Sequence, residues 1–324
     1  MRWRGFGILA VLVAVSWLAA LPSWAADRMV IGTGVDPTLS QFYLGVEAGI
    51  FKKHGLDVEV KLFGSASAST PSLIPGDIQA SLTSVPAGVL AHGRASKVVL
   101  VAMTDIATNY YGVVAENRIK TLSELRGQKV GVAMGSSSEL FAIQALDRAK
   151  MTLKDVQVVN VEPPEMLAAL IRRDISAFFV WEPWLTRAKL ATRGQSHILP
   201  GSDFYQIHNH LVMDREWIEK NRDAAIRFMR AVKEAGEFAM QRRDEAAPMV
   251  AKFLKLDVEL VKELLPKCNF MMVLDDVTMQ FMKKEADALI ATKRITAPFD
   301  YKGYVSPELL REIDPKAVNY TLPQ

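Results

Sequence analysis

The chain has 324 residues, half of them hydrophobic, and a formal net charge of +3. So small an excess argues against a nucleic acid or an anionic membrane surface as partner, and the length argues for about two domains rather than one core. The single cysteine, Cys268, leaves an exported protein without an internal disulfide, held together by its core alone.

The N-terminus reads as an export signal. Arg2 and Arg4 precede an apolar run over 5–21, and Ser23 and Ala25 are small residues at the spacing of a cleavage site. A signal peptide over 1–25, cut near Ala25, is the expectation; the alternative is a retained anchor helix, since the run lies at the short limit for a membrane span. No cysteine lies near the cut to carry a lipid. Losing both arginines brings the net charge to about +1.

From residue 29 the chain says one thing twice. "MVIGTG" (29–34) reads as a strand, and "TLSQ" (38–41) has the capping-box form before an amphipathic helix expected over 40–53. "DVEVKLF" (57–63) is a second strand. "KVGVAM" (129–134), "SSSE" (136–139), a helix over 138–150 and "DVQVVNV" (155–161) repeat the order, with the capping-box segments and the aspartates Asp57 and Asp155 each 98 residues apart. "LIPGDIQA" (73–80) and "LIRRDISA" (170–177) then match at five positions, and Pro86 and Pro183 follow their aspartates at equal distance. Two β-α-β-α-β units are the simplest consequence, with parallel strands covered by helices on both faces. Ligands of such sheets bind at the carboxyl ends of strands, where helices begin.

Candidate binding residues follow from that rule. Ser40 and Gln41 lie at the first helix start, while Phe42 and Tyr43 read as core. Gly64 and Ser65 lie in a small polar segment (62–70) that is either a ligand loop or a flexible turn. Thr83 and Ser84 end the third strand, with a plain serine cap as the alternative. "TDIATNYYGVVAEN" (104–117) reads as the first crossing between units, where Tyr110 or Tyr111 can close over a ligand. Ser136, Ser137 and Ser138 follow Gly135 at a helix start, whose free N–H groups and dipole welcome an anion. A charge-assisted hydrogen bond contributes about 1.5–3 kcal/mol, so three or four supply most of the roughly 8 kcal/mol behind micromolar affinity. Capping alone accounts for Ser136 and Glu139, but not for three hydroxyls beside a glycine. Trp181 and Glu182 fall at the end of a buried strand; Trp181 can lie against an apolar ligand body or pack a domain surface. Glu182 can accept from a ligand amine, orient a serine, or cap the helix after Pro183.

"QIHNHLVMDREW" (206–217) reads as the return crossing, and helices are expected over 216–242, 245–254, 257–266 and 276–293, with Asp214 and Asp276 as N-caps. Cys268 reads as buried packing. Signals for chemistry are poor. "GTGVDP" (32–37) has two glycines of a dinucleotide fingerprint but Pro37 in the third place, and no phosphate loop, zinc-protease or serine-hydrolase motif is present. His208 and His210 would share a strand face but lack further ligands, so no metal and no cofactor is expected.

Four segments, "FYLGVEAGIFKKHGLDVEV", "LIPGDIQASL", "LSELRGQKVGVAMGSSSE" and "DISAFFVWEPWL", resemble the substrate-binding proteins of bacterial ABC importers, in the nitrate/sulfonate/taurine/thiamine-precursor (SsuA/THI5-like, NMT1) group. The resemblance implies an α/β, two-lobed type II venus-flytrap fold, each lobe a mainly parallel sheet flanked by helices, with a helical C-terminal segment. It implies lobe I over 26–113 and 212–324 and lobe II over 114–211. It further implies a periplasmic, monomeric receptor, with no nucleic-acid partner, that closes on a small solute and delivers it to the permease. In sulfonate-type relatives the serine-rich helix start contacts the anionic group; here that is Ser136, Ser137 and Ser138, with Trp181, Glu182 and Pro183 lining the cleft. No arginine falls convincingly in the cleft, which argues against a doubly charged solute. Glu182 disfavours a purely anionic one unless it pairs with an amine or a hydrogen-bonded proton. The alternatives are an enzyme of the pyrimidine-precursor synthase type on the same scaffold, or a ligand-sensing subunit of a signalling system.

Overall fold

The structure is a computed structural model that describes residues 26–201 and 203–323. The expected signal peptide lies outside the described residues. Among the described residues twelve strands occur in chain order: β1 (Asp27–Thr33), β2 (Leu56–Leu62), β3 (Ala80–Ser84), β4 (Val98–Ala107), β5 (Tyr111–Glu116), β6 (Lys129–Val132), β7 (Gln157–Asn160), β8 (Ala177–Trp181), β9 (Ser196–Ile198), β10 (Ile207–Asp214), β11 (Cys268–Asp275) and β12 (Val318–Asn319). They form two mixed sheets, one in the order β12-β11-β4-β10-β3-β1-β2 and one in the order β7-β6-β8-β5-β9.

The repeat read from the sequence is a repeat of topology. β1 pairs in parallel with both β2 and β3. β6 pairs in parallel with both β7 and β8. In each unit a helix follows the central strand, Ser40–Glu47 in one and Ser137–Arg148 in the other. Both units therefore aim the carboxyl end of the central strand at a helix start, the geometry in which open sheets bind ligands. The expected boundaries at 113/114 and 211/212 fall inside β5 and β10. Sheet membership changes instead between Ala107 and Tyr111, and between Ile198 and Ile207.

Several elements differ from expectation for local reasons. The first helix does not run to 53; Gly49 adopts φ +69°, and a short second helix, Ile50–Lys53, follows. Glycine takes that left-handed conformation at little cost. Thr38 is not the cap: Asp36 is, accepting from the Thr38 N–H before the 3-10 turn Pro37–Leu39. Asp275, one residue before the expected Asp276, caps the helix Asp276–Ala291. Asp214 caps as expected, accepting from Glu216 and Trp217 N–H. The stretch holding Cys268 is not part of a helical tail but β11, whose alternate residues Cys268, Phe270, Met272 and Leu274 are buried.

One face of the first sheet is covered by Ser40–Glu47 and by the long helix Arg222–Gln241, which turns Ile226, Met229, Val232 and Ala239 inward. Phe228 on that helix meets Phe42 and Phe51 at ring-centroid distances of 5.9 and 5.7 Å. Burying a phenylalanine of this kind contributes about 1.5–3 kcal/mol. This packing fixes the helix start at residue 40 against the sheet, and with it the side chains considered next.

Candidate functional site

On the first sheet the candidate site is a chain of buried hydrogen bonds at the strand ends. Asp36 Oδ1 accepts from Thr38 N–H at 2.8 Å and from the Tyr110 hydroxyl at 3.0 Å. Thr38 Oγ1 accepts from Asn209 Nδ2 at 2.9 Å, and Asn209 Nδ2 also lies 3.2 Å from Asp105 Oδ2. Sheet register puts Asn209 opposite both Ser84 and Asp105. Gln41 reaches from its helix to donate to the Thr104 carbonyl at 2.8 Å. Two buried acceptors are left over: Gln41 Oε1 and Asp105 Oδ1 have no hydrogen-bond partner among the described residues.

The electrostatics follow from burial. Desolvation pushes Asp36 up to about 7, against its hydrogen bonds from Thr38 and Tyr110. It also holds Asp105 well above the usual carboxylate range, with the Asn209 bond pulling the other way. Glu285, from the helix Asp276–Ala291, is pushed up to about 8 by burial; its two oxygens lie 3.3 Å from the Tyr205 hydroxyl.

On the second sheet the three serines of the helix start are each committed. Ser136 caps the helix, accepting from Ser138 N–H at 3.0 Å and donating to the Ala133 carbonyl at 2.7 Å. Ser138 donates to the Phe179 carbonyl at 2.7 Å and accepts from Ala133 N–H at 3.1 Å. Ser137 shares a 2.6 Å hydrogen bond with the Tyr111 hydroxyl. Glu139 turns back to accept from Gly135 N–H at 2.6 Å. Trp181 is buried at the end of β8, its ring 5.9 Å from that of Tyr111. Glu182 accepts from both the N–H and the hydroxyl of Thr186 at 3.0 Å, so it caps its helix; burial raises its pKa.

The remaining expected residues have local partners. Ser40 donates to the Pro37 carbonyl, Ser65 caps the turn Ala66–Ser69, Thr83 accepts from Thr70, and Ser84 pairs with Ser67. Gly64 is where the halves approach: a Cβ there would stand 3.4 Å from Glu162 Oε2. Contacts across the halves include the Tyr110–Asp36 and Tyr205–Glu285 hydrogen bonds, a Lys284–Gln144 hydrogen bond at 3.3 Å and an Arg294–Glu139 ion pair at 3.7 Å. Arg94 and Arg294 also line a groove of about 170 Å³ with Ser67, Gly135 and Glu162, so arginines do reach the space between the halves.

The structure thus brings together Gln41, Tyr110, Ser137 and Trp181, and adds Asp36, Asp105, Tyr111, Tyr205, Asn209 and Glu285. Among these, only Tyr111 had a sequence signal, as part of the Tyr110 pair in the crossing. His208 and His210 are buried on β10; His208 stacks on Phe281 at 3.7 Å, and both ring nitrogens of His210 lack a hydrogen-bond partner among the described residues. Burial lowers the two to about 4 and 3. No group of three or more metal-ligating residues occurs among the described residues, and no helix there is long and apolar enough to cross a membrane.

Comparison with known proteins supplies the family. A putative aliphatic sulfonates-binding protein of Bacillus subtilis (strain 168) is 25% identical over 324 residues, covering 94% of this chain and 96% of the relative. The periplasmic aliphatic sulphonate binding protein SsuA from Escherichia coli superposes with a TM-score of 0.72 at 19% identity, over 86% of this chain and 92% of that one. The desulfurization enzyme DszB also shares the fold, with a TM-score of 0.67 at 15% identity over 88% of this chain and 98% of that one. The expected α/β periplasmic-binding-protein fold is the one observed. The NMT1/THI5 like family model matches residues 36–246, well over half of the sequence, and the chain belongs to that family.

Proposed function

We propose that the chain is the solute receptor of an ABC import system, capturing a small anionic or zwitterionic organic solute between two lobes and delivering it to a permease. The lobes are the two sheets with their helices, and the solute sits where the strand ends face each other. One observation carries this reading: polar side chains from both sheets, among them Asp36, Gln41, Asp105, Ser137 and Glu182, are buried together at those ends. Burying such groups is costly unless they are hydrogen-bonded, and Gln41 Oε1 and Asp105 Oδ1 have no partner among the described residues. The relatives named above as sulfonate-binding support a solute of that size. The candidate ligand contacts are Gln41, Tyr110, Ser137 and Trp181, joined by Asp36, Asp105 and Tyr111.

Binding without turnover is favoured over nucleophilic catalysis. The only cysteine is buried and its thiol is held protonated by burial, with Asp105 and Asp36 adding to the effect. A thiol in that state is a poor nucleophile. Native mass spectrometry of the chain purified without refolding tests the receptor reading, alongside thermal shift with sulfonates, carboxylates and amino acids. A retained small molecule, or a rise in melting temperature with one class, is expected. A folded chain with neither would refute it. Loss of uptake of the identified solute in a strain lacking the protein separates import from sensing.

A further inference from the structure

We propose that the solute presents a protonated amine, received on the first sheet by Asp105, Gln41 and Asp36. This rests on the receptor reading and narrows its solute class from anionic or zwitterionic to ammonium-bearing.

The first support is an imbalance of hydrogen-bonding capacity. Gln41 Oε1 and Asp105 Oδ1 are acceptors, both without partners among the described residues, on side chains only 1% and 0% exposed. Buried polar groups in native proteins are nearly always paired. Both belong to elements that meet at β4, where Gln41 donates to the Thr104 carbonyl and Asn209 to the Asp105 carboxylate. A sulfonate, carboxylate or nitrate brings only acceptors and leaves both oxygens unanswered. An ammonium brings three donors and no acceptor.

The second support is charge. Asp36, Asp105, Glu182 and Glu285 are all buried. Among the described residues no lysine or arginine forms an ion pair with any of them. Asp105 is joined to Asp36 by geometry: Asn209 Nδ2 lies 3.2 Å from Asp105 Oδ2 and donates to Thr38 Oγ1, whose N–H Asp36 accepts. Buried carboxylates without a counter-cation are costly and take up protons instead; Asp36 and Glu285 do so, at about 7 and 8. A cationic guest replaces those protons. On the second sheet, by contrast, Ser136 and Ser138 spend their hydroxyls on the protein's own backbone, so little donor capacity remains for an anion there.

The test uses matched solutes that differ in one group: 2-aminoethanesulfonate, 2-hydroxyethanesulfonate and ethanesulfonate, with 3-aminopropanoate and propanoate as a second set. Calorimetry and thermal shift are run on the full exported chain, on Asp105→Asn, and on Gln41→Leu in case the first variant fails to fold. The amine-bearing member of at least one set should bind at least about tenfold tighter than its partners, the scale of a charge-assisted hydrogen bond. D105N should erase that preference while raising the melting temperature of the unliganded chain, a combination that a purely structural aspartate would not give. Equal binding of amine and deaminated members, or a preference that survives both substitutions, overturns the proposal and leaves the receptor reading standing. No binding by any of the five to folded protein counts against both.

Discussion

Glu285→Gln should make the protein more stable, and increasingly so as pH rises. Glu285 is 1% exposed and its folded-state pKa is about 8, against 4.5 for the free side chain. Its raised pKa means that the folded state holds a proton that the unfolded chain releases. The stability associated with that proton is complete below about 4.5, declines as pH rises, and is gone once pH passes the folded value near 8. At about 1.36 kcal/mol per unit, the loss relative to acid conditions is about 3 kcal/mol at pH 7 and approaches about 5 kcal/mol above pH 9. Glutamine keeps the shape, still accepts from the Tyr205 hydroxyl, and has no charge to desolvate. The difference between variant and wild type therefore isolates this one group, because every other titrating residue cancels. Urea unfolding followed by tryptophan fluorescence at pH 4, 7 and 9 measures it. A gain that does not grow between pH 4 and pH 9, or a loss at pH 9, would refute the claim that burial outweighs the Tyr205 hydrogen bond and the Lys284 charge at Glu285.

The other predictions concern packing and the serines. Phe228→Ala should cost about 3–5 kcal/mol in the same unfolding assay, since it empties the contact with Phe42 and Phe51; a cost below about 1 kcal/mol would mean that the long helix is not anchored there. Ser138→Ala leaves the Phe179 carbonyl and Ala133 N–H without their partner and should cost about 1–3 kcal/mol of stability, with ligand affinity little changed in calorimetry; a large affinity loss with stability intact would reassign Ser138 to the ligand. His210, lowered to about 3 by burial, should show ring proton shifts that stay constant from pH 5 to pH 8 in NMR. Its depressed value adds stability that is full above 6.5 and lost as pH falls toward 3, so a titration near 6.5 would show it to be exposed.

How far the sequence could be read depended on the range of the interaction. The duplicated units were legible because each rests on local signals: a short strand, a cap and a helix in a row. β11 was equally local, with Cys268, Phe270, Met272 and Leu274 alternating with more exposed residues, but in the methionine-rich gap between the helices expected over 257–266 and 276–293 Cys268 reads only as buried packing. Asp36 was visible only as the residue before Pro37. Its role appears when Tyr110, far along the chain, donates to it across the halves. The same holds for Asp105, Asn209 and Glu285, which no spacing connects.

The serine-rich helix start shows what residue type alone leaves open. Three hydroxyls beside a glycine promise an anion site, because a helix start offers N–H groups and positive partial charge. Here the protein answers that charge itself. Glu139, 1% exposed, brings its carboxylate back to Gly135 N–H, and Ser136 takes Ser138 N–H. An arriving anion would have to compete with a carboxylate already in place and held by Arg294 at 3.7 Å. The opposite wall has the reverse condition, with buried acceptors left over at Gln41 and Asp105 and no ion pair to Asp36 or Asp105 among the described residues. On the receptor reading proposed above, discrimination falls where the chain leaves a demand unmet, at Asp105 and Gln41, rather than where the sequence offers the most donors.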